Sequence, residues 1–258
     1  MNASPMIDVQ SVGLVLDGRA IIKNVSLQVF PGEVLALVGP NGAGKSSLLS
    51  IMAGDTPATL GTALLSGSDV TKYRPDQAAR LRAVLMQSNQ VSFPFTVWEI
   101  VEMGRAPWSR TISRGEDNEA IADALARADV ESLTERRFNQ LSGGERARVS
   151  LARVLAQRTP VVLLDEPTAA LDLKHQESVM TTVRDIANQG RAVVVVVHDL
   201  SVAAGYADRV AMLDSGRLEA IGAPREVIVS ERVSRIYGLE VDIDVAGNPL
   251  RPIVLPRR

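Results

Sequence analysis

The sequence predicts an α/β fold built around a buried parallel β-sheet. Val34–Val38 is an unbroken apolar run that leads through a glycine-rich loop into Lys45–Ala53, where apolar residues recur at helical spacing before Gly54, a residue typical of helix ends. Two further apolar runs, at residues 161–164 and 193–197, have the length and composition of buried strands. Strands that alternate with helices indicate an open α/β sheet, which binds ligands at its carboxyl edge.

Local patterns predict further elements along the chain. Residues 7–30 suggest strands with a hairpin turn at Asp17 and Gly18. Helical spacing of apolar residues predicts a helix from Glu116 to Asp129, and residues 224–237 look like one helix. Residues 239–258 suggest a short strand pair around a turn at residues 247–249.

The loop after the first of these strands matches a phosphate-binding pattern, G-x-x-x-x-G-K-[ST], at every fixed position. Its glycines let backbone N–H groups approach phosphate oxygens, and the helix N-terminus adds a favourable dipole. We expect Lys45 to contact the β and γ phosphates of a nucleotide and the Ser46 hydroxyl to bind Mg²⁺. The alternative, an ordinary turn with a chance lysine, is disfavoured by the flanking strand and helix. The nucleotide-binding residues predicted here are Gly39, Pro40, Asn41, Gly42, Ala43, Gly44, Lys45, Ser46 and Ser47.

Two carboxylates follow the apolar run at residues 161–164. The end of a buried strand would place Asp165 and Glu166 at the ligand-binding edge of the sheet. Asp165 suits Mg²⁺, and Glu166 suits a base that polarises an attacking water. Alone, the pair fits a solvated acidic turn equally well. Together with the phosphate loop, it indicates nucleotide hydrolysis.

A second glycine pair precedes another helical pattern. A serine and two glycines at a helix N-terminus offer N–H groups to an anion. The pentapeptide is Leu141, Ser142, Gly143, Gly144 and Glu145. These motifs, in this order, resemble the ATP-binding cassette (ABC) ATPases, in which this pentapeptide is the signature.

The resemblance extends from about Ile7 to Gly238. It implies a P-loop NTPase fold, in one ABC ATPase domain over residues 1–258, with a RecA-like core, an antiparallel β subdomain and a helical signature subdomain. The implied limits are residues 7–87 and 158–238 for the core with the β subdomain, residues 88–157 for the helical subdomain and residues 239–258 for a C-terminal extension.

The resemblance also implies roles for single residues. Gln87 would sense Mg²⁺ and the attacking water, and His198 would hydrogen-bond the γ-phosphate and position Glu166. Asp172 would lie at the contact between two copies, because the signature of one subunit closes over the phosphate loop of the other. ATP and Mg²⁺ are thus the expected cofactors, and a head-to-tail dimer is the expected assembly. The expected Mg²⁺ ligands are Ser46, Gln87 and Asp165.

The sequence departs from the family at two positions. Relatives usually carry an aromatic residue near the first strand that stacks on adenine, but residues 12–19 contain none. Leu16 or a neighbour is expected to contact the base instead, which predicts weak base selectivity. Arg146 stands after the signature, where many relatives carry glutamine.

Other segments bear on the transported substrate. Residues 93–97 and 104–107, beside Gln87, resemble the permease-contacting segments of importers for haem, iron-siderophores and cobalamin, and are most similar to the haem branch. Residues 171–176, which include His175, and residues 236–238 fit the same group. Phe93, Phe95 and Trp98 can alternatively be core residues. The resemblance implies integral membrane permease subunits, a periplasmic or surface haem-binding protein, and a peripheral position on the cytoplasmic face of the bacterial inner membrane.

Two other classes of function remain open from the sequence. One is a soluble ABC ATPase of cluster assembly, repair or translation, although a single cassette without a long coiled-coil insert disfavours the last two. The other is a regulatory module that binds nucleotide without hydrolysis, which the presence of both Glu166 and His198 disfavours.

The composition limits the possible partners and sites. The net charge is −2, which provides no strong field for nucleic acid. With no cysteine and two histidines, thiol metal sites, disulfides and a zinc site are not expected. Residues 1–17 lack the pattern of a signal peptide, and the apolar runs are far shorter than the roughly twenty residues of a membrane span. We therefore expect the membrane part of a transporter to be another chain.

Overall fold

The computed structural model describes residues 4–86, 94–109, 111, 113–246 and 251–257. Gln87, Phe93 and the turn predicted at residues 247–249 lie outside this range. The described strands are β1 Ile7–Leu16, β2 Arg19–Val29, β3 Val34–Val38, β4 Leu60–Leu65, β5 Ser68–Asp69, β6 Arg82–Leu85, β7 Val161–Asp165, β8 Ala192–Val196, β9 Arg209–Asp214, β10 Arg217–Gly222, β11 Val241–Ala246 and β12 Arg251–Pro256. The described α-helices are α1 Lys45–Ala53, α2 Pro75–Leu81, α3 Val97–Glu102, α4 Arg114–Arg127, α5 Gly143–Ala156, α6 Leu173–Asn188, α7 Leu200–Tyr206, α8 Pro224–Val227 and α9 Ser230–Tyr237.

The central sheet has six strands in the order β10-β9-β3-β8-β7-β6. Its strands are parallel except for β10, which pairs antiparallel with β9. Every residue of β3, β7 and β8 is buried, as expected of strands covered on both faces. Since β3, β8 and β7 are neighbours, the loops that follow them meet at one edge of the sheet.

A second, antiparallel sheet has the order β2-β1-β4-β5. The predicted hairpin turn joins β1 to β2, with Asp17 at φ 48° and Gly18 at φ 75°. Two successive positive φ angles match the right-handed twist of the flanking strands. The inner face of this sheet packs with Leu48 and Leu49 of α1 in one apolar cluster. The sheet is thereby fixed against the helix that follows the phosphate loop.

The helices α3, α4 and α5 pack together beside the central sheet. Ile121 and Leu125 of α4 and Val149 of α5 belong to an apolar cluster that continues to Val34 and Ala36 of β3. Helix α4 begins at Arg114 rather than at residue 116, because Ser113 accepts the backbone N–H of Glu116 and caps the helix there. Packing is thus continuous from this helical unit into the core, and the predicted subdomain limits stay a prediction.

The prediction of one helix from Pro224 to Tyr237 is wrong, because α8 and α9 are separate helices. Val229 between them is extended, with φ −122° and ψ 146°. The Arg232 side chain donates to the carbonyls of Val227 at 2.6 Å and Glu226 at 2.9 Å, which satisfies acceptors at the end of α8. The helix can therefore end there without unpaired backbone groups.

The last two strands form the predicted pair. β11 and β12 are antiparallel, and β12 packs against α7. Val254 N–H approaches Ser201 Oγ of α7 at 3.5 Å. Among the described residues, none of the helices has the length and apolar character to span a bilayer.

Candidate nucleotide-hydrolysis site

The phosphate loop lies between β3 and α1, as the sequence predicts. Gly39 has φ 144°, and a Cβ atom at this residue would lie 2.1 Å from the Leu213 carbonyl oxygen. Gly44 has φ 97° and caps α1, whose first residue is Lys45. At both positions a side chain would be strained, so glycine is required for this loop conformation. The backbone N–H groups of the first turn of α1 are thereby available to an anion.

Lys45 is buried under the loop that it follows. Its Nζ donates to the carbonyl oxygens of Gly39 at 2.8 Å and Pro40 at 3.1 Å. Burial lowers the pKa of Lys45, while the nearby charges of Glu166 and Asp165 act in the opposite direction. The two carbonyl oxygens therefore hold the ammonium group in place. An incoming phosphate can replace them, because its charged oxygens are stronger hydrogen-bond acceptors.

Ser46 and Asp165 meet at this edge although they are 119 residues apart, with Ser46 Oγ donating to Asp165 Oδ1 at 3.1 Å. Asp165 is buried, and desolvation raises its pKa; the charge of Glu166 adds to this, whereas Ser46 and Lys45 oppose it. A hydroxyl and a carboxylate are hard oxygen donors that suit Mg²⁺, which also keeps phosphate and water ligands. The described residues contain no cluster of three or more His, Cys, Asp and Glu that could hold a metal.

Glu166 and His198 form the shortest polar contact of the site. His198 Nε2 lies 2.6 Å from Glu166 Oε1, and the glutamate side chain is 12% exposed whereas the histidine is 47% exposed. Glu166 has φ 51°, a left-handed conformation that is costly for a residue with a side chain. Its backbone N–H donates to Val196 O of β8 at 3.2 Å, which holds it in this conformation. The carboxylate is thus fixed in position beside the loop.

Two cavities meet at Glu166. The first, of about 500 Å³, is lined by loop residues 41–47 with Ile21, Glu166 and His198. The second, of about 260 Å³, lies between the ends of β6 and β7 and the signature helix, and Gly143 and Arg146 contribute to its wall. Within the described part of the chain, no signature residue lines the first cavity. Gly143 of the signature lines the second cavity, so the signature and the phosphate loop border different cavities that share Glu166.

The signature begins α5 with a capping box. Ser142 Oγ accepts the Glu145 N–H at 3.3 Å, and Glu145 Oε2 accepts the Ser142 N–H at 2.7 Å. Leu141 is buried, whereas Ser142 and Gly143 are exposed. The helix N-terminus thus presents exposed N–H groups to an external partner.

Asp172 is exposed at the N-terminus of α6. It caps this helix by accepting the backbone N–H of His175 at 2.9 Å. Hydrogen bonds from the backbone N–H and the side chain of His175 lower the pKa of Asp172, and the charges of His175 and Lys174 act in the same direction. Asp172 is not among the residues that line either cavity. Gln87, the remaining predicted site residue, falls outside the described residues.

Sequence reasoning missed two residues near the loop. Ile21 of β2 lines the first cavity, whereas Leu16, the predicted base contact, is 49% exposed at the end of β1 and does not line it. Tyr237 of α9 has a phenol oxygen shielded from solvent, and burial raises the pKa of Tyr237 to about 12, opposed by the backbone N–H of Gly39. No local pattern in the sequence connects residue 237 to residue 39, since the contact depends on how α9 packs.

Comparisons with known proteins agree with this geometry. A family model described as ABC transporter matches residues 22–169. HmuV of Thermobifida fusca, named a hemin import ATP-binding protein, is 52% identical over 240 residues, which is 93% of this chain and 84% of that protein. A metal-chelate type ABC transporter in an inward-facing conformation has a TM-score of 0.84 at 25% identity, over 99% of this chain and 98% of that chain. The dimeric bacterial ABC transporter cassette MJ0796 has a TM-score of 0.77 at 30% identity, over 85% of this chain and 99% of its own.

These similarities cover most of the chain, and the family model alone spans more than half of it. The predicted cassette fold and the predicted family are both confirmed. The chain therefore belongs to the ABC transporter family, as one of the ATP-binding cassettes that hydrolyse ATP.

Proposed function

We propose that this ATPase powers the import of haem across the cytoplasmic membrane, together with a separate permease and a haem-binding protein. The observation that supports this most directly is the 52% identity to a hemin import ATP-binding protein over 93% of the chain. A second relative of the same name, from Gloeobacter violaceus, is 43% identical and covers 97% of the chain. In this proposal the chain is a peripheral protein on the cytoplasmic face.

Nucleotide binding would begin at the loop. The backbone N–H groups of residues 41–47 surround the phosphates. The Lys45 side chain moves its ammonium group away from the carbonyls of Gly39 and Pro40 and pairs it with the β and γ phosphates. Ser46 and Asp165 would hold Mg²⁺, which neutralises charge on the phosphates when bound. Both donors already lie together, so little rearrangement is needed.

Hydrolysis would depend on Glu166 and His198. The Glu166 carboxylate accepts a proton from the attacking water, whose oxygen forms the new bond to the γ-phosphorus while the bond to the β-γ bridging oxygen breaks. His198 Nε2, 2.6 Å from the carboxylate, holds it in orientation, and the same N–H would turn toward the γ-phosphate once the nucleotide is bound. The products are ADP and phosphate. Gln87 is proposed to complete this set.

Two copies would be needed for turnover. The signature borders a different cavity from the phosphate loop of its own subunit, and its exposed helix N-terminus suits the γ-phosphate held by another subunit. A head-to-tail pair would therefore place two nucleotides between two cassettes, with Asp172 at the contact. Closure on ATP and opening after hydrolysis would drive the permease between its two conformations.

The permease would dock on the helical unit. A groove of about 400 Å³ there is lined by Phe95, Glu99, Glu102, Met103 and Arg105, among others. Met103 is 40% exposed, and Glu99 and Glu102 add negative charge. This surface suits a short helix that presents apolar and basic side chains. Phe95 and Trp98 are partly buried against the core, so the alternative that these aromatics are core residues holds in part.

Reconstitution in liposomes tests the proposal. With its cognate permease and ATP inside the vesicles, the cassette is expected to accumulate haem, and haem-loaded binding protein is expected to raise the rate of phosphate release. Met103→Glu should lower transport more than basal hydrolysis, because it adds a charge to the proposed docking groove. Leu255→Glu, at an exposed apolar residue of β12, is the matched control and should leave both rates unchanged.

Two outcomes would contradict the haem proposal. Stimulation by a siderophore- or cobalamin-loaded binding protein, without stimulation by the haem-loaded one, would assign the chain to another metal-chelate importer, a class favoured by the structural likeness to a metal-chelate type transporter. Hydrolysis that no permease affects would favour a soluble ABC ATPase.

A further inference from the structure

A chain of four polar side chains connects the N-terminus of α6 with the signature helix. Asp172 Oδ1 lies 2.6 Å from His175 Nδ1. On the other side of the ring, His175 Nε2 is 4.0 Å from Asp129 Oδ2, and Arg148 Nη1 is 3.5 Å from the same oxygen. Asp129 follows α4, and Arg148 belongs to α5, whose first turn is the signature. The exposed cap of α6 is thereby linked to the helical unit of the same subunit.

A second contact connects the same two regions. A Cβ atom on Gly144 of the signature would lie 3.3 Å from the Ala170 carbonyl oxygen and 3.5 Å from Leu171 Cδ2. The first turn of α5 therefore rests against the segment that precedes Asp172. Two separate contacts, one of backbone packing and one of polar side chains, hold the signature and Asp172 in a fixed relation.

The imidazole interacts favourably with both carboxylates in one protonation state. A neutral imidazole has one N–H, which can donate to Asp172 Oδ1 at 2.6 Å. The imidazolium is also attracted by its charge to Asp129 Oδ2, which at 4.0 Å from Nε2 lies beyond hydrogen-bond distance. The charged groups around His175 are Asp172 and Lys174 on α6, Asp129 after α4 and Arg148 on α5. The ring is 25% exposed, so solvent reaches it. Histidine is the side chain whose charge changes near neutral pH.

We propose that His175 is a positioning residue that fixes Asp172 relative to the signature of the same subunit, and that its protonated form does so most firmly. This inference rests on the proposed function, in which Asp172 and the signature both contact the second copy. A surface that is already ordered loses less conformational freedom when the pair closes. The closed pair contains these four polar side chains once in each subunit, so their contribution to the free energy of dimerisation is doubled.

The test uses ATP-dependent dimerisation in a Glu166→Gln background, where hydrolysis does not reopen the pair. Sedimentation velocity with Mg-ATP at about pH 6 and about pH 8 gives the dimer dissociation constant. His175→Gln is expected to weaken the dimer about three- to tenfold at the lower pH and much less at the higher pH. Asp129→Asn, which leaves the Asp172 cap of α6 intact, should give the same pattern.

Lys174→Gln is the matched control, since it removes an exposed charge next to His175 without breaking the polar chain. The dimer dissociation constant of this variant should depend on pH in the same way as that of the Glu166→Gln protein alone. All other ionisable groups of the background are shared with the His175→Gln and Asp129→Asn variants apart from the substituted residue, so the difference between variants isolates the polar chain. A purely structural loss would be equal at both pH values.

The outcomes separate this inference from the proposed function. Dimerisation that His175→Gln and Asp129→Asn leave unchanged, or weaken equally at both pH values, would overturn the inference. Failure of the Glu166→Gln background itself to dimerise with ATP at either pH would overturn the proposed two-subunit site instead.

Discussion

Glu166→Gln is expected to abolish hydrolysis while ATP binding is kept. The amide has nearly the size of the carboxylate, and its oxygen can keep the contact with His198 Nε2, which is 2.6 Å in the native site. An amide does not accept the proton of the attacking water. Loss of a general base typically lowers a rate by about 10² to 10⁴, which corresponds to about 3 to 5 kcal/mol of activation free energy.

The electrostatic effect of this change favours binding. The charge of Glu166 raises the pKa of Asp165 and that of Lys45. Without it, Asp165 is more readily ionised and stays a ligand for Mg²⁺. The triphosphate also meets one negative charge fewer at the loop. We therefore expect an ATP affinity that is equal to or higher than that of the native protein.

Phosphate release and calorimetric Mg-ATP binding together measure both effects. Glu119→Gln on the surface of α4, where the glutamate is 74% exposed, is the matched control and should hydrolyse ATP normally. Turnover at the native rate in Glu166→Gln would remove Glu166 from the proposed role. A tenfold loss of ATP affinity would show that the carboxylate contributes to binding, and the electrostatic reasoning would be wrong.

Four further predictions follow from the site. Lys45→Ala should weaken ATP binding far more than adenosine binding in calorimetry, because the ammonium contacts phosphate alone, and equal losses would contradict this. The native protein should prefer ATP over GTP less than tenfold in competition binding, because residues 12–19 contain no aromatic residue and stacking contributes about 1 to 3 kcal/mol per base in nucleic-acid sites. Burial raises the pKa of Asp165 in the folded protein above its value in the unfolded chain, so the ionised carboxylate destabilises the fold at neutral pH. Asp165→Asn should therefore raise the Tm by about 1 to 4 °C at neutral pH, and this gain should shrink as the pH falls. In urea unfolding, Gly39→Ala should cost about 2 to 4 kcal/mol, whereas Gly67→Ala, at φ 80° and with no atom within 4 Å of the new Cβ, should cost about 1 kcal/mol, and equal losses would remove the steric argument.

Local patterns in the sequence predicted much of the fold. The run at Val34–Val38, the helix Lys45–Ala53 and the hairpin turn at Asp17 and Gly18 lie where periodicity and turn chemistry placed them. The errors were also local in origin. Helical spacing continues across residues 228 and 229, so the break between α8 and α9 was not visible without the carbonyl contacts of Arg232.

The sequence by itself determined that this chain binds nucleotide phosphates, since the loop, its strand and its helix are contiguous and their backbone geometry is set by neighbouring residues. The tertiary structure decided which distant side chains share the site. The neighbours β3, β8 and β7 bring Ser46, Asp165, Glu166 and His198 to one edge, and this order differs from the order of the strands along the chain. The same packing places the signature and the phosphate loop on different cavities and brings His175 close to Asp129, which contacts Arg148 of the signature helix. Such contacts depend on long-range packing, which local hydrogen bonding and hydrophobic periodicity do not specify.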